Sequence, residues 1–267
     1  MARLDVYLTE HGYAPSRARA KQLIADGRVK LGGRAALKPS EEVRNGAEVE
    51  VSEGMDYVGR GALKLLGAFE AFPIDVSGRR CADIGASTGG FTQVLLEKGA
   101  AAVYAVDVGH GQLVSSLRED SRVINREGVN VRYLPPDFFE EGADFACCDL
   151  SFISLTMILP PLAAALPEGA EIVALIKPQF EAGREALGKG GILRDKKKHI
   201  QVLERLTAFF AAEGLSLRGL CRSPVTGGDG NTEYLAYLKK NGEPPRTFDI
   251  GHIVGEALSA AKQEKRK

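Results

Sequence analysis

Seven short apolar runs recur between residues 81 and 240: CADIGA, AAVYAVD, RVIN, FACCD, EIVALIK, LSLRGLCRS and EYLAYLK. Runs of this length, bounded by turn residues, read as strands. Helical spacing of apolar residues marks the stretches 62–72, 90–98, 112–118, 155–166 and 197–213. Strand alternating with helix leaves few architectures open. The connections are long enough to cross over a sheet, so the strands lie mostly parallel with helices on both faces. Only Pro224–Thr232 joins the last two runs, which suits an antiparallel hairpin. The expected fold is α/β, a doubly wound, mostly parallel sheet with an antiparallel last strand.

The N-terminal residues follow another pattern. Leu4, Tyr7 and Leu8 share one helical face, and Ser16 is an expected N-cap for SRARAKQLIADG. Ala20, Leu23 and Ile24 form that helix's apolar stripe, and Gly27 ends it. RVKLGG and AEVEVS alternate as short strands. Residues 1–53 are therefore read as a small α+β domain, 54–61 as a linker, 62–245 as the α/β domain and 246–267 as a C-terminal helix or tail.

Lys+Arg and Asp+Glu both number 35, so overall charge points to no partner. Its distribution does. From Ser16 to Lys38 seven basic residues face only Asp26, a local net of +6. Arg17, Arg19, Lys21, Arg28 and Lys30 are the candidates there for phosphate contact, against the plain alternative of a solvated helix face. A second basic stretch, Arg184 to Lys198, is rich in glycine and reads as a mobile loop that closes over a ligand. Cys81, Cys147, Cys148 and Cys221 show no CxxC spacing and read as reduced thiols. The four histidines show no ligand spacing. The first residues lack an apolar signal core. The longest mostly apolar stretch, Ile153 to Leu166, is about 14 residues and too short to span a bilayer. A cytoplasmic protein is expected.

Four charged residues occupy costly positions. Asp149 and Lys177 close apolar runs, Glu233 opens one, and Lys64 interrupts GALKLLGAF. Such groups are seldom buried unless paired. Two structural ion pairs would explain them; so would an acid/base cluster at the strand ends, where parallel sheets place their sites. Residues 83–91, DIGASTGGF, follow a strand and precede a helix. They match neither a P-loop nor GxGxxG. Asp107 closes the next strand, where a carboxylate can accept both hydroxyls of a ribose and would repel a 2′-phosphate. Asp83, Gly85, Ala86, Ser87, Gly89, Gly90, Phe91, Asp107 and Asp149 are thus the candidate cofactor contacts. Asn130, after the third strand, is either an adenine neighbour or a turn residue.

Together DIGASTGGF and VDVG resemble the S-adenosylmethionine loop of class I (Rossmann-like) methyltransferases. Lys64, Asp149, Lys177 and Glu233 fall in order on the K-D-K-E tetrad of the FtsJ-like ribose 2′-O-methyltransferases. Their settings are GRGALKL, CCDLSFISL, LIKPQFE and GNTEYL. LDVYL with SRARAKQLIADGRVKLGG resembles the S4-type RNA-binding domain. In this order the two resemble the TlyA family of rRNA methyltransferases, some of them named haemolysins. KPQFE departs from the broader FtsJ pattern but matches the TlyA branch.

The resemblance implies S-adenosylmethionine as cofactor, rRNA or ribosomal subunits as partner, and ribose methylation of a cytidine in 16S and/or 23S rRNA. It makes Lys177 the base that deprotonates the 2′-hydroxyl, with Lys64 as a neighbouring cation, Asp149 orienting Lys177, and Glu233 positioning Lys64 or the hydroxyl. No metal is called for, because the leaving group is neutral. Phe152 and Phe180, each three residues after a tetrad member, are better base-stacking candidates than Tyr7 and Tyr57. No obligate protein partner or membrane is implied. Two other readings remain: a non-catalytic ribosome-assembly factor, against which the intact tetrad speaks, and a pore-forming haemolysin, against which the lack of a signal or spanning segment speaks.

Overall fold

A computed structural model describes the chain except residues 1, 26–27, 37, 45, 52–56, 229, 243 and 265–267, and the side chains of residues 22, 25, 35, 184, 189 and 264. The chain forms two compact units, residues 1–56 and 57–267.

The first unit contains β1 (Ala2–Arg3), α1 (Leu4–Glu10), α2 (Arg17–Ala25), β2 (Val29–Leu31), β3 (Arg34–Ala35), β4 (Glu42–Val43) and β5 (Val49–Val51). Strands β3, β2 and β5 form one small antiparallel sheet, and β1 pairs with β4. Leu4, Leu8, Ala20, Leu23, Ile24 and Val29 meet in its core, so the apolar faces of both helices point inward. Ser16 Oγ accepts the backbone N–H of Arg19 at 3.2 Å, capping α2. Gly27, expected to end that helix, lies outside the described residues.

The second unit runs α3 (Gly61–Ala71), β6 (Arg80–Ile84), α4 (Gly90–Glu97), β7 (Ala102–Asp107), α5 (Ser115–Arg118), β8 (Val123–Glu127), β9 (Phe145–Cys148), α6 (Leu155–Ala165), β10 (Glu171–Ile176), α7 (Pro178–Glu181), α8 (Lys196–Ala212), β11 (Leu215–Arg222), β12 (Tyr234–Lys240) and α9 (Ile250–Glu264). Its seven strands lie in the order β11-β12-β10-β9-β6-β7-β8. Strand β12 runs antiparallel to both its neighbours, and the pairings from β10 to β8 are parallel. Alternate strand residues feed opposite faces. Cys81, Val103 and Val173 pack towards α3 and α4, while Ala82, Tyr104 and Ile172 pack towards α6, α8 and α9. Both faces are covered, which is why these strands read as continuous apolar runs.

Two expectations change. Tyr57, placed in the linker, is buried in the second unit and its hydroxyl donates to Glu97 at 2.8 Å. Residues 54–56 of that linker lie outside the described residues. Arg184 to Lys198, expected to be a mobile loop, holds short 3-10 turns at Arg184–Ala186 and Lys189–Gly191 and the first residues of α8, while α7 starts before it at Pro178. Pro178 at the first helical position favours that start.

Chain direction leaves β6 towards β7 and β8 on one side and β9 and β10 on the other. The carboxyl ends of β6, β9 and β10 thus flank a topological switch point, the usual place for a ligand crevice. Because β12 is antiparallel, its beginning lies at the same edge: Tyr234 pairs with Ile176.

Candidate active site

A cleft of about 420 Å³ opens at that edge. Asp149 follows β9 and Lys177 follows β10, so parallel pairing sets them side by side. Glu233 precedes β12 and arrives from the opposite chain direction. Lys64 comes from α3, which packs beside α4. The four side chains meet. Lys177 Nζ lies 2.6 Å from Asp149 Oδ1 and donates to Ser151 Oγ at 2.9 Å. Lys64 Nζ lies 3.1 Å from Asp149 Oδ2 and 2.9 Å from Glu233 Oε2. Gln179 reaches Glu233 Oε1 at 3.5 Å. All four line the cleft. The residues are therefore one chain of alternating charge, rather than two separate pairs.

The two lysines are not equivalent. Burial works against the Lys64 ammonium, but Asp149 and Glu233 outweigh it and hold its pKa above the ordinary lysine value. Lys64 is a fixed cation. Lys177 faces one carboxylate, one hydroxyl and the Phe180 ring, whose centre is 5.9 Å from Nζ.

The glycine loop forms the floor. Gly85, Ala86, Ser87, Gly90 and Phe91 line the cleft, whereas Gly89 does not. A Cβ on Gly85 would lie 2.7 Å from the Asp149 carbonyl oxygen, and its φ is +89°. The room that this glycine leaves is thus taken by the protein's own β9 end. Asp107 lies just outside the cleft lining, where it accepts the N–H groups of Ser87 at 2.8 Å and Gly109 at 2.7 Å. Each oxygen keeps a lone pair for a further donor.

Asp83 and Asn130 each hold a hydrogen-bond partner within the protein. Asp83 is fully buried and accepts both the N–H and the hydroxyl of Thr92, at 2.8 and 2.7 Å. It pins the start of α4 beneath the loop and is absent from the cleft lining. Burial pushes its carboxyl up to about 7, against the pull of the Thr92 hydrogen bonds. Asn130 accepts the N–H of Arg132 at 3.2 Å and caps the 3-10 turn Val131–Tyr133.

Residues 57–240 match the profile of the FtsJ-like methyltransferases. The chain belongs to the FtsJ-like methyltransferase family. Residues 2–49 match the S4 domain. TlyA of Mycobacterium tuberculosis, named a 16S/23S rRNA (cytidine-2′-O)-methyltransferase, is 44% identical over 89% of this chain and 90% of its own. Bacillus subtilis YqxC, provisionally named an rRNA methyltransferase, is 46% identical over 98% of this chain and 96% of its own. A solved Streptococcus thermophilus structure with a provisional hemolysin name is 44% identical, covers 100% of this chain and 98% of its own, and superposes with a TM-score of 0.80. Among the described residues no helix is long and apolar enough to cross a membrane.

In this methyltransferase, sequence reading passed over the groups that hold the tetrad in place. Ser151 and Gln179 touch it directly. Glu181 accepts the Leu155 N–H at 2.8 Å and the Ser154 hydroxyl at 2.7 Å, and so ties α7 to the start of α6. Arg205 donates to its carboxylate at 3.1 Å and to its carbonyl at 2.8 Å. KPQFE carried the available signal: Gln179 and Glu181 lie two and four residues beyond Lys177. Phe152 sits between Asp149 and α6 with φ +64°, rare for a bulky residue, and is 89% exposed. Its ring centre lies 4.9 Å from that of Phe180, and both line the cleft.

The basic residues of the S4 unit divide. Arg17 donates to buried Asp5 at 2.8 Å and Lys30 pairs with Glu50 at 3.4 Å, so both have partners within the unit. Lys21 is exposed. Arg19 and Arg28 also make contacts of their own.

Proposed function

We propose that this protein methylates the ribose 2′-hydroxyl of a cytidine in rRNA, with S-adenosylmethionine as donor. The observation that carries this reading is the convergence of Lys64, Asp149, Lys177 and Glu233 beside the glycine loop. The name of the Mycobacterium tuberculosis relative supports the substrate.

The residues present fit the cofactor. Asp107 keeps acceptor capacity for two ribose hydroxyls, and the Gly85–Ser87 backbone and Asp149 border the cleft beside it. Bound there, S-adenosylmethionine supplies a sulfonium methyl and leaves as a neutral thioether.

A ribose hydroxyl must lose its proton to attack. Lys64 holds its own proton between two carboxylates, so the acceptor role falls to Lys177 once its amine is neutral. Asp149 stabilises the ammonium that forms, and Ser151 fixes its direction. Glu233 and Asp149 anchor Lys64, whose cation offsets the charge growing on the attacking oxygen. Phe152 and Phe180 at the mouth offer faces to an unstacked base. Rigid placement of the attacking oxygen supplies much of the rate.

The test is transfer of labelled methyl from S-adenosylmethionine to rRNA taken from cells lacking the gene, followed by nucleoside analysis. The expected product is 2′-O-methylcytidine. A methyl on a base, or no transfer to rRNA, overturns the reading.

A further inference from the structure

A second groove, of about 450 Å³, shares no lining residue with the reaction cleft. One wall is the segment 192–196 leading into α8; the other is the face of α9 that carries Gly255, Leu258 and Lys262. Gly230 and Thr232 close one end. Leu193, Leu258 and Ala261 make the surface apolar, while Arg194, Lys196 and Lys262 supply three cations. Among the described residues no carboxylate lines it. Among the described residues no ion pair engages any of the three cations. The family match ends at residue 240, so the α9 wall lies beyond it.

The groove is wired to the reaction site. Asn231, nearly fully buried, accepts the N–H of Leu193 at 2.9 Å and donates to the Gly191 carbonyl at 3.1 Å. Tyr234 and His199 add a second tie: Nδ1 and Nε2 of His199 lie 3.0 Å from the Tyr234 hydroxyl and the Leu193 carbonyl. Segment 230–233 thus forms the end of the groove and then presents Glu233 to the cleft.

We infer that this groove binds a nucleotide of the RNA substrate flanking the methylated one. Its phosphate lies among Arg194, Lys196 and Lys262, and its sugar or base lies over Leu193 and Leu258. Charge complementarity selects this occupant: unpaired cations around an apolar floor match a chain that is anionic along its backbone and flat in its bases. The inference rests on the proposed rRNA substrate.

The test compares full-length wild type with Arg194→Gln, Lys196→Gln and Lys262→Gln, singly and together, after thermal melts establish folding. Methylation of purified rRNA is measured against RNA and salt concentration, and S-adenosylmethionine affinity by calorimetry. The triple variant is expected to raise KM for rRNA roughly tenfold, with kcat and cofactor affinity unchanged. The slope of log KM against log salt should fall by roughly 0.7, as one single-strand phosphate contact is lost. Unchanged KM and slope overturn the inference. So does a defect confined to intact ribosomal subunits and absent on purified rRNA, which would assign the groove to a protein. If wild type itself fails to methylate rRNA, the proposed function fails; binding of a labelled oligoribonucleotide by anisotropy then tests the groove alone, and equal affinity in wild type and triple variant overturns it.

Discussion

Lys177 Nζ lies 2.6 Å from Asp149 Oδ1, while the other Asp149 oxygen holds Lys64. One carboxylate therefore sets the spacing of two cations. Removing it would leave two buried ammonium groups facing each other across the cleft.

From this follows the first prediction. Lys177→Arg keeps the charge and the partner but cannot accept a proton at any usable pH. It should be as inactive as Lys177→Ala, with activity lowered by roughly 10³-fold or more, a scale set by general-base catalysis and substrate positioning together. Cofactor affinity should hold in both variants. Single-turnover methylation of rRNA across pH checks this. Substantial activity in the arginine variant would leave Lys177 as a positioning cation.

Asp107 should matter for cofactor binding and little for folding. Its oxygens accept two backbone N–H groups and face the loop without burying a charge deeply. Asp107→Ala is expected to weaken S-adenosylmethionine binding by about tenfold or more, in line with the loss of charge-assisted hydrogen bonds. Isothermal calorimetry measures it; unchanged affinity removes Asp107 from the site.

Glu181 should act at a distance. It anchors Ser154 and Leu155, and the turn just before them carries Ser151 and Phe152. Glu181→Ala leaves buried donors unsatisfied and should cost about 1–3 kcal/mol of stability. Because Ser151 directs Lys177, kcat should fall while cofactor affinity stays. Glu181→Gln, which keeps one acceptor, should restore part of both. Denaturant melts and steady-state rates separate these effects; a stability loss with unchanged kcat would confine Glu181 to packing.

Asp83 makes stability depend on pH. Its carboxyl is pushed up to about 7 by burial, above its ordinary 3.8, so the folded protein binds a proton that the unfolded chain releases. The contribution favours folding at low pH and is lost as pH rises through about 7. Between pH 6 and 8 stability should fall by about 1 kcal/mol from this group. His199, which burial pulls below its usual value, contributes the opposite slope. Asp83→Asn leaves His199 in place and is neutral throughout, so only the Asp83 slope should vanish. Melts of both proteins at pH 6, 7 and 8 check this; parallel curves would place the titration elsewhere.

Sequence alone determined the alternation of strand and helix, the antiparallel last hairpin, the glycine turn and the four tetrad residues. These are local matters. Side-chain period, turn chemistry and charges at the ends of apolar runs are written within a few residues of each position. The tertiary structure decided what each side chain touches. Asp83 and Asp107 both stand at strand ends beside one loop, yet one faces Thr92 in the interior and the other the N–H of Ser87. Arg17, a candidate phosphate contact, has a carboxylate partner in Asp5, twelve residues away. Glu181 meets Leu155 only because β10 lies against β9. Lys177 and Glu233 line one cleft only because Ile176 and Tyr234 share a register. Such pairings join residues from 12 to more than 50 apart, and no local periodicity encodes them. They are selected when the sheet closes and each buried polar group must find a partner.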